Sequence, residues 1–311
     1  DPLHSVLVFQ ATTGDNTPSN TDVYCSIDSG AAVDCHRIAF NGDATIFWRL
    51  LQLPGVTVRH SVTPLGGSPA TITIPAVSPA STFLLTSYDN SGGSQGSDDF
   101  RYAQLTAPDK VVVTSSGGGG GNLALQAVEW PGSAVARGVT GLMDGLDLDV
   151  TGLPPVDLSR SILTYSYRTT SGSGAICDRS IRGELISPTA IRFHRGDGNL
   201  ACDDVMVDAI GWERIQLPRG YLVQTREVAL PIGSLEGTAT ITAVDPTRSL
   251  LLAGGQFTGG QAGGEGSFAV DDVLGEMHGA FTFDSPTQVR VRRAVALGSA
   301  RWTIFVVEVP P

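Results

Sequence analysis

Lysine is almost absent from this 311-residue chain, and charged residues of both signs are sparse. Lys110 is the only lysine, so arginine supplies nearly all of the 20 basic residues. Acidic residues are more numerous, at 31. The formal net charge is −11 and the sequence shows no basic stripe, which argues against a protein that binds nucleic acid. The chain also lacks a run of 18 uncharged apolar residues, so the sequence predicts no membrane span.

The sequence also lacks the spacing of long helices. No window of about 15 residues has apolar residues that recur at intervals of three and four. The 38 glycines and 18 prolines leave little room for long helices, which disfavours helical bundles, coiled coils and doubly wound α/β folds. The hydrophobic share of 41% is nevertheless sufficient for packed cores.

One short motif occurs four times: an aliphatic residue, Gln or Glu, an apolar residue and Pro. Its copies are Leu51–Pro54, Val128–Pro131, Ile215–Pro218 and Val307–Pro310. Because Pro cannot donate a main-chain hydrogen bond, each proline is expected to end a closing β-strand. The motif therefore predicts four units, which we number 1 to 4. Their bounds are residues 1–54, 55–131, 132–218 and 219–311.

Strands with alternating apolar and polar residues precede an apolar run in the last three units. These alternating segments are Thr71–Ile74, Leu146–Val150 and Thr238–Ala243. A period of two is typical of antiparallel strands with one buried face. Units of roughly 80–90 residues with several such strands favour small β-sandwiches over propeller blades of about 40–50 residues. The predicted fold is all-β, a tandem array of small antiparallel, immunoglobulin-like β-sandwich repeats.

Unit 1 begins at a turn, Asp1-Pro2, and lacks the alternating strand that precedes the equivalent turns of the other units. Three explanations remain open. The chain is part of a longer polypeptide, or residues 1–54 fold adequately without that strand, or a neighbouring subunit donates it. Donation would produce a head-to-tail polymer. A chain that begins at Asp1 is expected to be a processed, exported product or a piece of a longer protein.

Large apolar residues stand at matching places near the four closing prolines. Trp48, Leu125 and Trp212 lie six residues before the proline, and Trp302 lies eight before it, which keeps the same strand face. We expect these four residues to form the cores of the repeats.

The four cysteines fall into two sequence-local pairs. Two disulfides, Cys25–Cys35 and Cys177–Cys202, are favoured over a metal site because neither pair has Cys-x-x-Cys spacing. Disulfides imply an oxidising compartment, and we expect an extracellular or cell-surface location.

The sequence contains little that indicates catalysis or a cofactor. Gly92-Gly93-Ser94-Gln95-Gly96 matches a nucleophile elbow, but no helical pattern follows it. The five histidines occupy non-matching places in the repeats, which argues against a shared catalytic or metal-binding role. Calcium is the one cofactor that the acidic clusters would suit, although none forms the complete twelve-residue loop. We therefore expect no enzyme and assign no catalytic, cofactor-binding or metal residue.

In architecture the chain resembles the tandem β-sandwich repeats of bacterial surface proteins, appendages and phage tail fibres. The resemblance rests on the repeated closing strand, implies surface assembly or attachment, and transfers no individual binding residue. Our first hypothesis is a non-catalytic structural subunit of an extracellular filament, appendage or stalk that self-associates. One alternative is a glycan- or receptor-binding module that uses Gly/Ser-rich loops near Tyr88, Phe100 and Tyr102. Another is a secreted hydrolase.

Overall fold

The structure is a computed structural model. It describes the whole chain except residues 16, 29–31, 40–41, 93–96, 98, 119, 142, 144, 171–178, 196–206 and 258–277. The described residues form 22 strands, one short helix, α1 (Pro18–Thr21), and short 3₁₀ helices. The 3₁₀ helices are Pro2–His4, Pro79–Ser81, Leu158–Arg160 and Pro246–Arg248. The predicted all-β class is confirmed.

Unit 2 shows the plan of a complete repeat, whose described residues form six strands in two sheets. Its strands are β5 (Thr57–Pro64), β6 (Ala70–Thr73), β7 (Thr82–Tyr88), β8 (Arg101–Ala107), β9 (Lys110–Ser115) and β10 (Asn122–Glu129). The strand orders are β5-β10-β7 and β6-β9-β8, with every pairing antiparallel. The closing strand is thus the centre of one sheet, between the first and third strands. The core between the sheets includes Ile72, Val111 and Leu125.

Units 3 and 4 repeat this plan. The strands of unit 3 are β11 (Ala134–Thr140), β12 (Asp147–Val150), β13 (Ser161–Thr169), β14 (Ile181–Ser187), β15 (Ala190–Arg195) and β16 (Val207–Gln216). Those of unit 4 are β17 (Leu222–Leu230), β18 (Glu236–Thr240), β19 (Ser249–Phe257), β20 (Ala280–Ser285), β21 (Gln288–Arg292) and β22 (Ala300–Glu308). The sheet orders are β11-β16-β13, β12-β15-β14, β17-β22-β19 and β18-β21-β20. Tandem small β-sandwiches are therefore the observed fold.

Unit 1 has only four strands among its described residues. They are β1 (Ser5–Thr13), β2 (Tyr24–Ile27), β3 (Val33–His36) and β4 (Ala44–Gln52), paired as β1-β4 and β2-β3. These correspond to the third to sixth strands of a complete unit. The sequence pattern predicted one missing strand, but the described part of unit 1 lacks counterparts of both the first and the second.

The predicted disulfide Cys25–Cys35 is confirmed, and it joins directly opposed residues of β2 and β3. Such a bond fits an oxidising compartment. The other predicted pair, Cys177 and Cys202, lies outside the described residues. Within the described ranges, no helix has the length and hydropathy needed to cross a membrane.

The four units pack into a closed ring of contacts. Unit 2 contacts unit 3 through β8 and β13, and unit 3 contacts unit 4 through β14 and β19. Strand β20 of unit 4 packs on β1 and β4 of unit 1, whose β2 contacts β7 and β10 of unit 2. The third strands all reach one shared core, to which they contribute Val6, Phe83, Ile162 and Leu250. The ring closes through unit 1 even though the described part of this unit has only four strands.

Candidate functional site

The closing strand of each complete unit has an apolar face that is buried between two sheets. Side chains alternate along a strand, so residues two apart share a face. On that face Leu125 is 1% exposed, Trp212 7% and Trp302 2%. These three residues are core residues, as the sequence predicted.

The prediction of burial is wrong for Trp48, which is 57% exposed. Trp48 lies on β4, the closing strand of unit 1, and its neighbour on the same face, Leu50, is 41% exposed. Strand β4 pairs with β1 alone among the described strands, and no first strand stands at its other edge. The apolar pattern is the same as in the other units, but the strands that would cover it are missing from the described part of unit 1.

We call the row Ile46, Trp48 and Leu50 the open face. Ile46 also lines a cavity of about 210 Å³ between β4 and β3, together with Ala44 and Cys35. The open face therefore continues into the space between the two small sheets of unit 1. An apolar row beside an unpaired strand edge is a surface that natural proteins rarely leave uncovered.

Unit 3 shows what covers this position when a first strand is present. Trp212 of β16, which occupies the same place in the repeat as Trp48, pairs with Gly138 of β11. A Cβ atom at Gly138 would lie 2.6 Å from Cζ2 of Trp212. Glycine is therefore required there because the indole occupies the space of a side chain.

The opposite edge of the unit 1 sheet is closed by a side chain. Gln126 of β10 accepts a hydrogen bond from the Leu7 main-chain N–H at 2.9 Å and donates one to the Leu7 carbonyl oxygen at 2.7 Å. The amide thus satisfies both main-chain groups of Leu7 on β1, as a neighbouring strand would. Among the described residues, the outer edge of β4 has no strand beside it.

The residues at the position of Gln126 in other units make similar contacts, which no local sequence pattern predicted. Glu213 of β16 accepts from the Leu84 N–H at 2.6 Å and pairs with Arg137 at 3.0 Å. Burial raises the pKa of Glu213, against the opposing effect of Arg137. Arg49 of β4 donates to the carbonyl oxygens of Pro246 and Ser249 and so closes the ring. The available signal was a polar residue five positions before the closing proline, in an otherwise apolar strand.

The aromatic residues near the Gly/Ser-rich loops are engaged within the fold. Phe100 is 3% exposed and stacks on Tyr167, with ring centroids 5.3 Å apart. The guanidinium of Arg101 lies 5.5 Å from the ring centroid of Tyr88, and Arg168 lies 5.9 Å from that of Tyr102. Three rings that the sequence offered for sugar stacking thus make contacts with other side chains of the protein.

The acidic face of β12 is paired with basic side chains. Asp149 accepts two hydrogen bonds from the Arg192 guanidinium, at 2.5 and 2.7 Å, which lowers the pKa of that carboxyl. His194 lies between Asp147 and Glu184, at 2.5 and 2.8 Å. Over the described ranges no group of three His, Cys, Asp or Glu side chains is arranged to hold a metal ion. Several other predicted features, namely Gly93–Gly96, Cys177 and Cys202, lie outside those ranges.

No protein-family model matches this chain, and no curated protein matches it. Its class is therefore defined by its own fold, a tandem antiparallel β-sandwich protein with four units in a ring. The feature that distinguishes one unit from the other three is the open face.

Proposed function

We propose that this chain is a non-catalytic structural subunit of an extracellular filament, appendage or surface stalk, assembled through the open face of unit 1. The observation that carries the proposal is the exposure of Trp48 and Leu50 at positions that are buried in the other units. Exposed apolar surface beside an unpaired strand edge favours association with another chain.

The occupant that we propose is a β-strand contributed by a second copy of this chain. The complete units support this choice, because in each of them an antiparallel first strand lies along the same edge of the closing strand. The interface would extend the existing β1-β4 sheet through main-chain hydrogen bonds. A strand passed from each copy to the next gives a head-to-tail, open-ended assembly.

The comparison with Trp212 also specifies the incoming strand. Trp48 occupies the place of Trp212, whose partner on the first strand is Gly138. A strand that covers Trp48 as β11 covers Trp212 would place a glycine opposite the indole, with extended residues on each side.

Replacing Trp48 by serine is expected to weaken self-association by at least about tenfold, because tryptophans at the centre of an interface commonly contribute the most binding energy. Sedimentation velocity over a range of protein concentrations measures the effect, and electron microscopy shows whether filaments form. The matched control is Ile232→Ser, since Ile232 is 71% exposed and lies in the turn between β17 and β18, away from the open face. A wild-type protein that stays monomeric at every concentration would rule the proposal out.

A peptide of residues 132–141, which contains β11 with Gly138, is expected to bind the open face. Trp130, Trp212 and Trp302 are buried, so the main change in tryptophan fluorescence should come from Trp48, as a blue shift on covering its ring. The control is the same peptide with Gly138→Leu, whose side chain would collide with the indole. An equal shift with both peptides, or none with either, would contradict a strand-accepting face.

A further inference from the structure

A cavity of about 290 Å³ lies where all four units meet. Its walls carry six aromatic rings, those of Phe9, Tyr88, Phe100, Tyr167, Phe281 and Trp302. The faces of aromatic rings carry partial negative charge and attract cations. The contact between Arg101 and the Tyr88 ring is one such interaction within the protein itself.

Carboxyl groups line the same cavity. Asp22, which follows α1, and Asp99 both contribute to its walls. Asn90 Nδ2 donates to Asp22 Oδ2 at 2.6 Å. Burial raises the pKa of Asp22 to about 7, because the ionised carboxylate loses hydration. A cation inside the cavity would stabilise that ionised form.

The remaining titratable and charged groups around Asp22 leave the cavity suited to a cation. His278 Nε2 lies 3.9 Å from Asp22 Oδ1, and burial lowers the pKa of His278 to about 4, so the imidazole is neutral at neutral pH. Burial also raises the pKa of Tyr88 above its ordinary range, which keeps the phenol neutral. Arg101 is the cation that acts on Asp22, and Asp99 adds a second negative charge.

We propose that this cavity binds a small organic cation with a substituted ammonium group. The rings would surround the methyl or methylene groups of the ligand, and Asp22 would face its charge. Aromatic walls with a nearby carboxylate are the chemistry that recognises such ligands. The volume lies near the lower end of the range for small-molecule sites, which suits a ligand of about the size of choline. The inference is independent of the proposed function, because the open face does not contribute to this cavity.

Isothermal titration calorimetry with choline and with 3,3-dimethylbutan-1-ol tests the proposal. The two probes have nearly the same shape, but the alcohol has a neutral carbon in place of the charged nitrogen. Choline is expected to bind at least about tenfold more tightly than the alcohol, because a desolvated cation gains from the rings and the carboxylate. Equal affinity for the two probes, or binding of neither, would overturn the proposal.

The variant Asp22→Asn keeps the size of the side chain and removes its charge. It is expected to weaken choline binding at least about tenfold. The control is Asp34→Asn, since Asp34 is an exposed carboxylate on β3 of the same unit. Unchanged choline affinity in a folded Asp22→Asn protein would argue against Asp22 as the charged partner.

The pH dependence of the wild-type protein gives a readout that needs no variant. Choline keeps its charge at every pH, whereas Asp22 becomes ionised as the pH rises through about 7. Choline affinity is therefore expected to rise between pH 6 and pH 8, while affinity for the alcohol stays constant. A flat choline profile would also count against the proposal.

Discussion

Trp302→Ala is expected to lower the free energy of unfolding by about 3–5 kcal/mol, the usual cost of removing a buried tryptophan side chain. Trp302 is 2% exposed and packs edge-to-face against Phe281, with ring centroids 6.1 Å apart. The backbone at Gly279 also lies close, since a Cβ atom there would be 2.9 Å from the indole. These surroundings cannot collapse easily around alanine, so a cavity remains. Urea denaturation measures the loss.

The matched control is Trp48→Ala, the same substitution on the closing strand of unit 1. Because Trp48 is 57% exposed, the expected loss is below about 1 kcal/mol. Equal losses in the two variants would mean that the Trp48 side chain is covered in the isolated protein, which would contradict its exposure on the open face.

Gln126→Ala is expected to lower the free energy of unfolding by about 2–4 kcal/mol, because it leaves two buried main-chain groups without partners. Gln126 is 8% exposed and forms hydrogen bonds with both the N–H and the carbonyl group of Leu7. The loss should appear as a weakened contact between units 1 and 2. Hydrogen exchange of the Leu7 amide, followed by mass spectrometry or NMR, locates it.

Gln224→Ala is a close control for this effect. The Gln224 side chain makes the same pair of hydrogen bonds, to the N–H and carbonyl of Thr242, but at an exposed site within unit 4. Water can replace both bonds there, so a loss below about 1 kcal/mol is expected. Similar losses in the free energy of unfolding at Gln126 and Gln224 would show that the buried hydrogen bonds between units 1 and 2 stabilise the fold no more than exposed ones.

The outcome at the tryptophans shows how far local pattern can predict this protein. The alternation along the closing strands correctly places Trp212 and Trp302 on a buried face. It fails at Trp48 because alternation specifies which residues share a face but not whether a second layer covers that face. Covering depends on the first and second strands, and the described part of unit 1 has neither.

No local sequence pattern predicts the contacts between units. Arg49, Gln126 and Glu213 stand at one repeat position, yet each binds different main-chain groups on a neighbouring unit. A repeat alignment identifies the position as polar but cannot name partners that lie roughly a hundred residues away or more. The cavity beside Asp22 has the same origin, because its walls come from four units.

The all-β class, the repeated plan of the units and the Cys25–Cys35 bond follow from information close along the chain. Alternation, proline at strand ends and cysteine spacing act over a few residues, so the sequence specifies them directly. The closed ring, the exposed face of β4 and the shared cavity arise from tertiary structure. They depend on which units meet and which strands are present to cover them, since burial is a property of surfaces brought together in space.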